Sequence, residues 1–129
     1  MGKGIARKFA GAVIDVNDLG LEAAFWGAML GEEPGPIRSD GGWVTIGTLG
    51  GPARLVLQKV PEPKTIKDRI HIDLDVDDVD VAIARIIEMG GSQFSEPKIS
   101  GGVTMADPQG NEFCIGAFRR SKEGLRTPT

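Results

Sequence analysis

The chain has 129 residues, 40% hydrophobic and 26% charged, with a formal net charge of −3. That length suits one compact domain, and the acidic balance excludes a nucleic-acid binder, which neutralises phosphates with Lys and Arg across a whole face. No apolar run approaches the roughly 20 residues of a membrane span, no signal-peptide core opens the chain, and the one cysteine, Cys114, has no partner for an internal disulfide. The expected setting is therefore the reducing cytoplasm.

The basic residues gather in "GKGIARK" and "FRRSKEGLR", near the ends, and read as solvated termini. The first predicted element is a strand over 11–16. Ala12, Ile14 and Val16 point to one face, and Gly11, Val13 and Asp15 to the other. A helix follows. Leu21, Ala24, Phe25, Ala28 and Met29 recur at helical spacing and predict its apolar face. Asp18 is its expected cap and Gly31 its left-handed stop. Trp26 lies off that stripe, where it suits a partner subunit. Pro34 and Pro36 confine a weak strand near 32–38 to an edge or make it irregular.

Segments 41–48 and 53–60 read as a hairpin joined by "LGGP". Val44, Ile46, Leu55 and Leu57 are core by alternation, leaving Trp43, Thr45, Arg54, Val56 and Gln58 opposite. Segment 61–68 is a linker. "RIHIDLDV" (69–76) alternates, with Ile70, Ile72, Leu74 and Val76 inward and Arg69, His71, Asp73 and Asp75 outward. Asp78 caps a second helix with apolar positions Val79, Ala82, Ile83, Ile86 and Ile87, ended by Gly90 and Gly91. Strands at 92–96, 101–106 and 111–118 follow, the last two joined by "DPQG". In the final strand Phe113, Ile115 and Ala117 are core, and Glu112, Cys114 and Gly116 face away. The tail 119–129 is expected to be mobile.

The chain repeats itself at an offset of 60 residues: Asp15 matches Asp75, Val16 Val76, Asp18 Asp78, Ala24 Ala84 and Gly31 Gly91. Each copy runs strand, capped helix, glycine. The fold class is α+β: two β-α-β-β-β modules, about 9–60 and 69–118, in one domain spanning 1–129. Each sheet carries helices on its outer face and a mixed face opposite. Two such curved sheets side by side make a cup, the usual shape of a small-molecule site.

The mixed face supplies the candidate residues. Trp43 offers a stacking surface, and Thr45, Gln58, Cys114 and Asp75 offer polar contacts. His71 suits either a ligand contact or acid/base work, and equally a strand histidine paired with a carboxylate. Asp15 and Asp75 occupy matching positions. Either could exchange a proton if the two were brought close, or be a solvated carboxylate paired with Arg54 or Arg69. Cys114 reads as a small packing residue beside the alternative of a reactive thiol. Asp77, Asp78 and Asp80 belong to a helix start; no calcium loop, phosphate loop or dinucleotide fingerprint is present.

The paired modules, "VIDVNDLGLEAAFWGAMLG", "RIHIDLDVDDVDVAIARIIEMGG" and "MADPQGNEFCIG" resemble the glyoxalase/bleomycin-resistance/dioxygenase superfamily, the vicinal oxygen chelate (VOC) proteins, in their bacterial-type glyoxalase-like branch. The resemblance covers about residues 9–118 and implies the VOC fold and a homodimer. It also implies metal-ligand positions at Gly11, Gln58, His71 and Cys114. Gly11 has no side chain, and Cys114 stands where the family often has Glu. Val56 shares the parity of Gln58. One imidazole and one thiol suit hard or borderline divalent ions poorly.

The expected function is therefore that of a glyoxalase/bleomycin resistance-like protein binding a small organic molecule, with no cofactor. The alternative is an enzyme, a lyase or isomerase of a small oxygenated metabolite. It would use His71, Asp15 or Glu112 as acid/base groups and could take a divalent metal (Ni, Zn, Mn or Fe) on His71, Gln58 and Glu112. Expected partners are the small molecule and a second copy of the chain, without nucleic acid or membrane.

Overall fold

A computed structural model describes residues 4–37, 42–47, 55–99 and 101–118. The chain divides into two units, Met1–Pro61 and Glu62–Thr129. The boundary falls where the sequence predicts the linker to begin. The tail expected to be mobile, the "LGGP" turn and Arg54 lie outside the described residues.

The first unit contains β1 (Ala12–Val16), α1 (Leu19–Leu30), β2 (Trp43–Ile46) and β3 (Leu55–Lys59). Its sheet has the order β1-β3-β2, with β1 parallel to β3 and β2 antiparallel to it. Residues paired across a ladder share a face, so register decides what is buried. Ile14, Leu57 and Val44 form one row, and Ala12, Leu55 and Ile46 another. Val44, Ile46, Leu55 and Leu57 are buried, with α1 packed against β2 and β3. The weak strand expected near 32–38 reduces to a single bridge, Pro34 to Ile46, supported by Gly35 N–H donating to the Thr45 carbonyl at 2.9 Å.

Helix α1 begins and ends as its sequence predicts. Asp18 accepts the Leu21 N–H at 3.0 Å, and Gly31 adopts φ 66°. Its buried face differs from the expected one. Leu19, Glu22, Ala23, Phe25, Trp26 and Gly27 are buried, whereas Leu21 is 48% exposed and Ala24 and Ala28 are exposed. Two stripes of helical spacing interleave here, 21/24/25/28 and 19/22/23/26. The helix turns toward the second because the indole is the larger apolar group to remove from water. Trp26 is therefore core and not a surface anchor. Its ring meets Phe25 edge-on, with centroids 5.4 Å apart and planes at 84°. Gly27 permits the chain to fold back against the helix: a Cβ there would lie 2.8 Å from the Glu32 carbonyl oxygen.

The second unit contains β4 (Asp73–Asp75), α2 (Val79–Glu88), β5 (Ser92–Gln93), β6 (Val103–Ala106) and β7 (Glu112–Gly116), with sheet order β4-β7-β6-β5. It is the expected β-α-β-β-β module. Strand β4 is parallel to β7, as β1 is to β3, and the remaining pairs are antiparallel. Asp78 caps α2 by accepting the Val81 N–H at 3.1 Å. Ile86 is buried and Val79, Ala82 and Ile83 half-buried, as the spacing predicts, but Ile87 is exposed. The "DPQG" turn closes on its own aspartate. Asp107 Oδ1 accepts N–H groups from Gln109 at 3.0 Å and Asn111 at 2.9 Å, and Gly110 takes φ 92°.

The strand expected over 69–76 is much shorter. Ile70 is 85% exposed, and His71 precedes the strand. Ladder bonding stops where Ile72 accepts the Cys114 N–H at 2.9 Å. One step further along β7, the Glu112 N–H donates to the Asp68 side chain at 3.1 Å. A side chain thus replaces the backbone partner that an extended strand would have supplied.

The burial pattern of α1 reverses the ranking that periodicity alone gives. Trp26→Ala should lower stability by about 3–5 kcal/mol, while Leu21→Ala should cost less than ~1 kcal/mol. Urea denaturation of the two variants checks this, and equal losses would contradict the observed face.

Candidate functional site

The polar face of each sheet is the candidate site, and register shows which side chains it groups. In the first unit Asp15, Gln58 and Trp43 form one row across β1, β3 and β2. Val13, Val56 and Thr45 form the next. Asp15 and Gln58 are exposed; Trp43, Thr45 and Val56 are half-buried. The predicted site residues of this unit are thus neighbours on one face, opposite the face that α1 covers.

In the second unit the row is Asp73, Cys114 and Thr104, flanked by Glu112 with Ala106 and by Asp75 with Gly116. This face is largely filled by the unit's own groups. Cys114 Sγ lies 3.5 Å from Thr104 Oγ1, and both residues are buried. Asp75 Oδ1 accepts the Phe118 N–H at 2.9 Å. The Phe118 ring lies over Gly116, where a Cβ would collide with it.

Glu112 is the most committed of the predicted acid/base candidates. Its side chain is 1% exposed, and Oε2 meets Lys64 Nζ at 2.8 Å. Oε1 accepts the Asp68 N–H at 2.8 Å, reciprocating the bond from the Glu112 N–H to Asp68. Lys64 also donates to the Ile66 carbonyl and pairs with Asp68 at 3.7 Å. Burial alone would raise the Glu112 pKa, but the Lys64 and Asp68 hydrogen bonds outweigh it and hold the carboxyl below its ordinary value. Burial and the Glu112 charge push Asp68 up. For Lys64, burial acts downward and is outweighed by Glu112 and Asp68, so its pKa is raised. A carboxylate tied in this way fastens segment 64–68 to β7 and is poorly placed to exchange protons.

His71 is exposed, with Nε2 2.7 Å from Lys67 Nζ. An ammonium can only donate, so Nε2 accepts and its lone pair is taken. Sequence reasoning missed Lys64, Lys67, Asp68 and Thr104. Alternation in "GVTMA" could have found Thr104. The lysines lie in a stretch without periodicity, 48 residues from Glu112 in the case of Lys64.

These contacts bear on metal binding. The register pairs Asp73 with Cys114 and Val13 with Val56, so under the 60-residue repeat the counterpart of Cys114 is Val56, not Gln58. Of the positions Gly11, Val56, His71 and Cys114, two carry no donor. The Nε2 of His71 is engaged by Lys67, the Glu112 oxygens by Lys64 and Asp68, and Cys114 is buried against Thr104. Among the described residues no group of three or more His, Cys, Asp or Glu could hold a metal ion. Among the described residues, the carboxylate oxygens of Glu112 and the Nε2 of His71 are thus held by neighbouring protein groups.

Residues 11–116 match the family model of the glyoxalase-like domain. The chain belongs to this family. Solved structures agree with this glyoxalase-like domain in fold. A hypothetical protein from S. aureus is 24% identical, with TM-score 0.68 over 88% of this chain and 95% of its own. A glyoxalase/bleomycin resistance protein/dioxygenase family enzyme from Burkholderia phytofirmans is 20% identical, with TM-score 0.63 over 82% and 94%. The fosfomycin resistance protein FosX from Listeria monocytogenes, in complex with Mn(II) and a dihydroxypropylphosphonic acid, is 15% identical, with TM-score 0.68 over 93% and 97%. Comparison with curated proteins found no match. No helix among the described residues of the glyoxalase-like domain is long and apolar enough to cross a membrane.

The Glu112 pairing has a defined pH signature. A lowered carboxyl pKa stabilises the fold above the ordinary value of 4.5 and loses that contribution as pH falls through the folded value. The raised pKa of Lys64 contributes below 10.5 and is lost as pH rises through its folded value. Asp68 acts oppositely to Glu112: its raised pKa contributes below 3.8 and is lost as pH rises, which partly offsets the acid loss. Glu112→Gln should therefore cost on the order of 2 kcal/mol at neutral pH. The difference from wild type should shrink as pH falls below 4.5 and on through the lowered folded value, where the folded Glu112 itself becomes protonated. Chemical denaturation at several pH values checks this; a pH-independent difference would show that charge is not what Glu112 contributes.

Proposed function

We propose that this glyoxalase-like domain binds a small organic molecule on its polar sheet faces without a metal, as a homodimer in the cytoplasm. The observation that carries the reading is the Asp15–Gln58–Trp43 row. It sets an indole face, an amide and a carboxylate side by side on the sheet face opposite α1. An aromatic surface beside a few fixed polar groups is how proteins commonly hold flat organic ligands. Thr45, in the adjacent row, extends the polar edge. For the second unit the exposed His71 and Asp75 are the proposed contacts, whereas Cys114 is buried against Thr104.

The two tryptophans make the test direct. Trp26 is fully buried and Trp43 half-buried, so quenching by a bound ligand should come from Trp43. A thermal-shift screen of metabolites and drug-like aromatics should yield compounds that raise Tm, since a ligand binding only the folded state must do so. Those compounds should quench the wild type and not Trp43→Phe. Quenching unchanged in Trp43→Phe would remove the row from the site. Turnover of a hit by wild type, abolished in Asp15→Asn or His71→Ala, would replace the binding reading with the lyase or isomerase reading.

Metal independence has its own check. Untagged protein soaked in nickel, zinc, manganese or iron(II) should retain none after dialysis, by elemental analysis. Near-stoichiometric metal that disappears in His71→Ala would overturn that part of the proposal.

A further inference from the structure

We infer that residues 69–71 form a latched loop. The Asp68–Glu112 contact holds them off the sheet, and its release lets the chain extend β4 back to Ile70 and carry His71 onto the polar face beside Glu112. This rests on the binding function proposed above and gives the regulation of its second unit, because His71 joins the polar face only in the extended form.

The latch is read from the bonds along β7. The Cys114 N–H donates to the Ile72 carbonyl, and the Val76 N–H donates to the Gly116 carbonyl. In this parallel pattern Glu112, Cys114 and Gly116 bond toward β4, while Asn111 accepts from the Asp107 N–H on the other side. The next bonds back along an extended β4 are then Glu112 N–H to the Ile70 carbonyl and Ile72 N–H to the Glu112 carbonyl. The first of these donors is taken instead by the Asp68 side chain, at 3.1 Å. Glu112 and Cys114 are two residues apart, but their partners Asp68 and Ile72 are four apart. The surplus chain must bulge, and it contains Ile70, 85% exposed, and the exposed His71.

Two sets of interactions thus compete for one N–H. The looped form keeps the reciprocal Asp68–Glu112 bonds. The extended form gains two ladder bonds and withdraws part of an isoleucine from water. Alternation favours it, since Ile70 has the inward parity of Ile72, Leu74 and Val76, which are all half-buried. Continued back from Asp73 and Cys114, the register sets His71 opposite Glu112, in the row of Ala106. A molecule that touches His71 on the sheet face binds the extended form and shifts the population toward it.

Asp68→Ala removes the latch and leaves Glu112 and His71 in place. Labelled with nitrogen-15 and carbon-13, this variant should show a hydrogen-bond scalar coupling between the Glu112 amide nitrogen and the Ile70 carbonyl carbon. Its Ile72 amide should exchange with deuterium roughly tenfold more slowly than in wild type. The ring signals of His71, the chain's single histidine, should move with it. An Ile72 amide that exchanges as in wild type, with no Glu112–Ile70 coupling, would overturn the inference. Should Asp68→Ala fail to fold, Asp68→Asn takes its place. It keeps an acceptor oxygen without the charge, so Ile72 should slow by a smaller factor, and an unchanged rate again overturns the latch. If compounds quench Trp43 while Ile72 is unchanged, the latch fails and the binding function stands. If Ile72 slows and no compound raises Tm, the latch stands and the binding function fails.

Discussion

The parallel pairing of the first and last strand in each unit is the constraint on which the rest depends. A parallel pair requires a crossover, and in both units the helix lies within it. Register then does the sorting. With Asp15 opposite Gln58 and Gln58 opposite Trp43, the polar groups are outward, and Ile14 shares the inward row with the buried Leu57 and Val44. A slip of one residue would bury Asp15 and expose Leu57, which the apolar row forbids. The same register in the second unit sets Asp73 beside Cys114 and leaves Leu74 with Ile115 inward.

The two units put this shared frame to different use. Among the described residues, the polar face of the first sets exposed Asp15 and Gln58 beside half-buried Trp43. That of the second is occupied by its own side chains. Cys114 and Thr104 close on each other, Phe118 lies over Gly116, and Lys64 and Asp68 close on Glu112. A carboxylate 1% exposed is tolerable only when cations and N–H groups replace the water it has lost. Here the replacement comes from the segment between the modules. That segment's conformation is set by the same bonds that make the buried charge acceptable.

Local signals account for what the sequence made legible. Caps at Asp18 and Asp78, the stop at Gly31, the "DPQG" turn and the strand alternation are short-range, and each is present in the fold. So is the grouping of Asp15, Gln58 and Trp43, which needs only parity and a repeat. The failures have long-range causes. The burial of Trp26 depends on which of two equally periodic stripes α1 presents to the sheet. The loss of strand at 69–72 depends on Glu112, more than 40 residues away, bonding to Asp68. The role of Glu112 itself was hidden because parity places it on the polar face without saying what covers it.

Within the family's fold, chemistry is set by the residues at the site and not by the frame. In the second unit the atoms that could have acted as metal donors hydrogen-bond to ammonium or amide groups instead: Nε2 of His71 to Lys67, the Glu112 oxygens to Lys64 and Asp68. The exchange changes what the site can do. A divalent ion with an open coordination position can polarise a bound oxygen and generate a nucleophile. A lysine ammonium already engaged with protein acceptors supplies charge and direction, but no vacant coordination position. Of the acid/base candidates, Glu112 is buried and tied, and His71 has one ring nitrogen engaged by Lys67. Asp15, by contrast, is exposed on the polar face of the first unit.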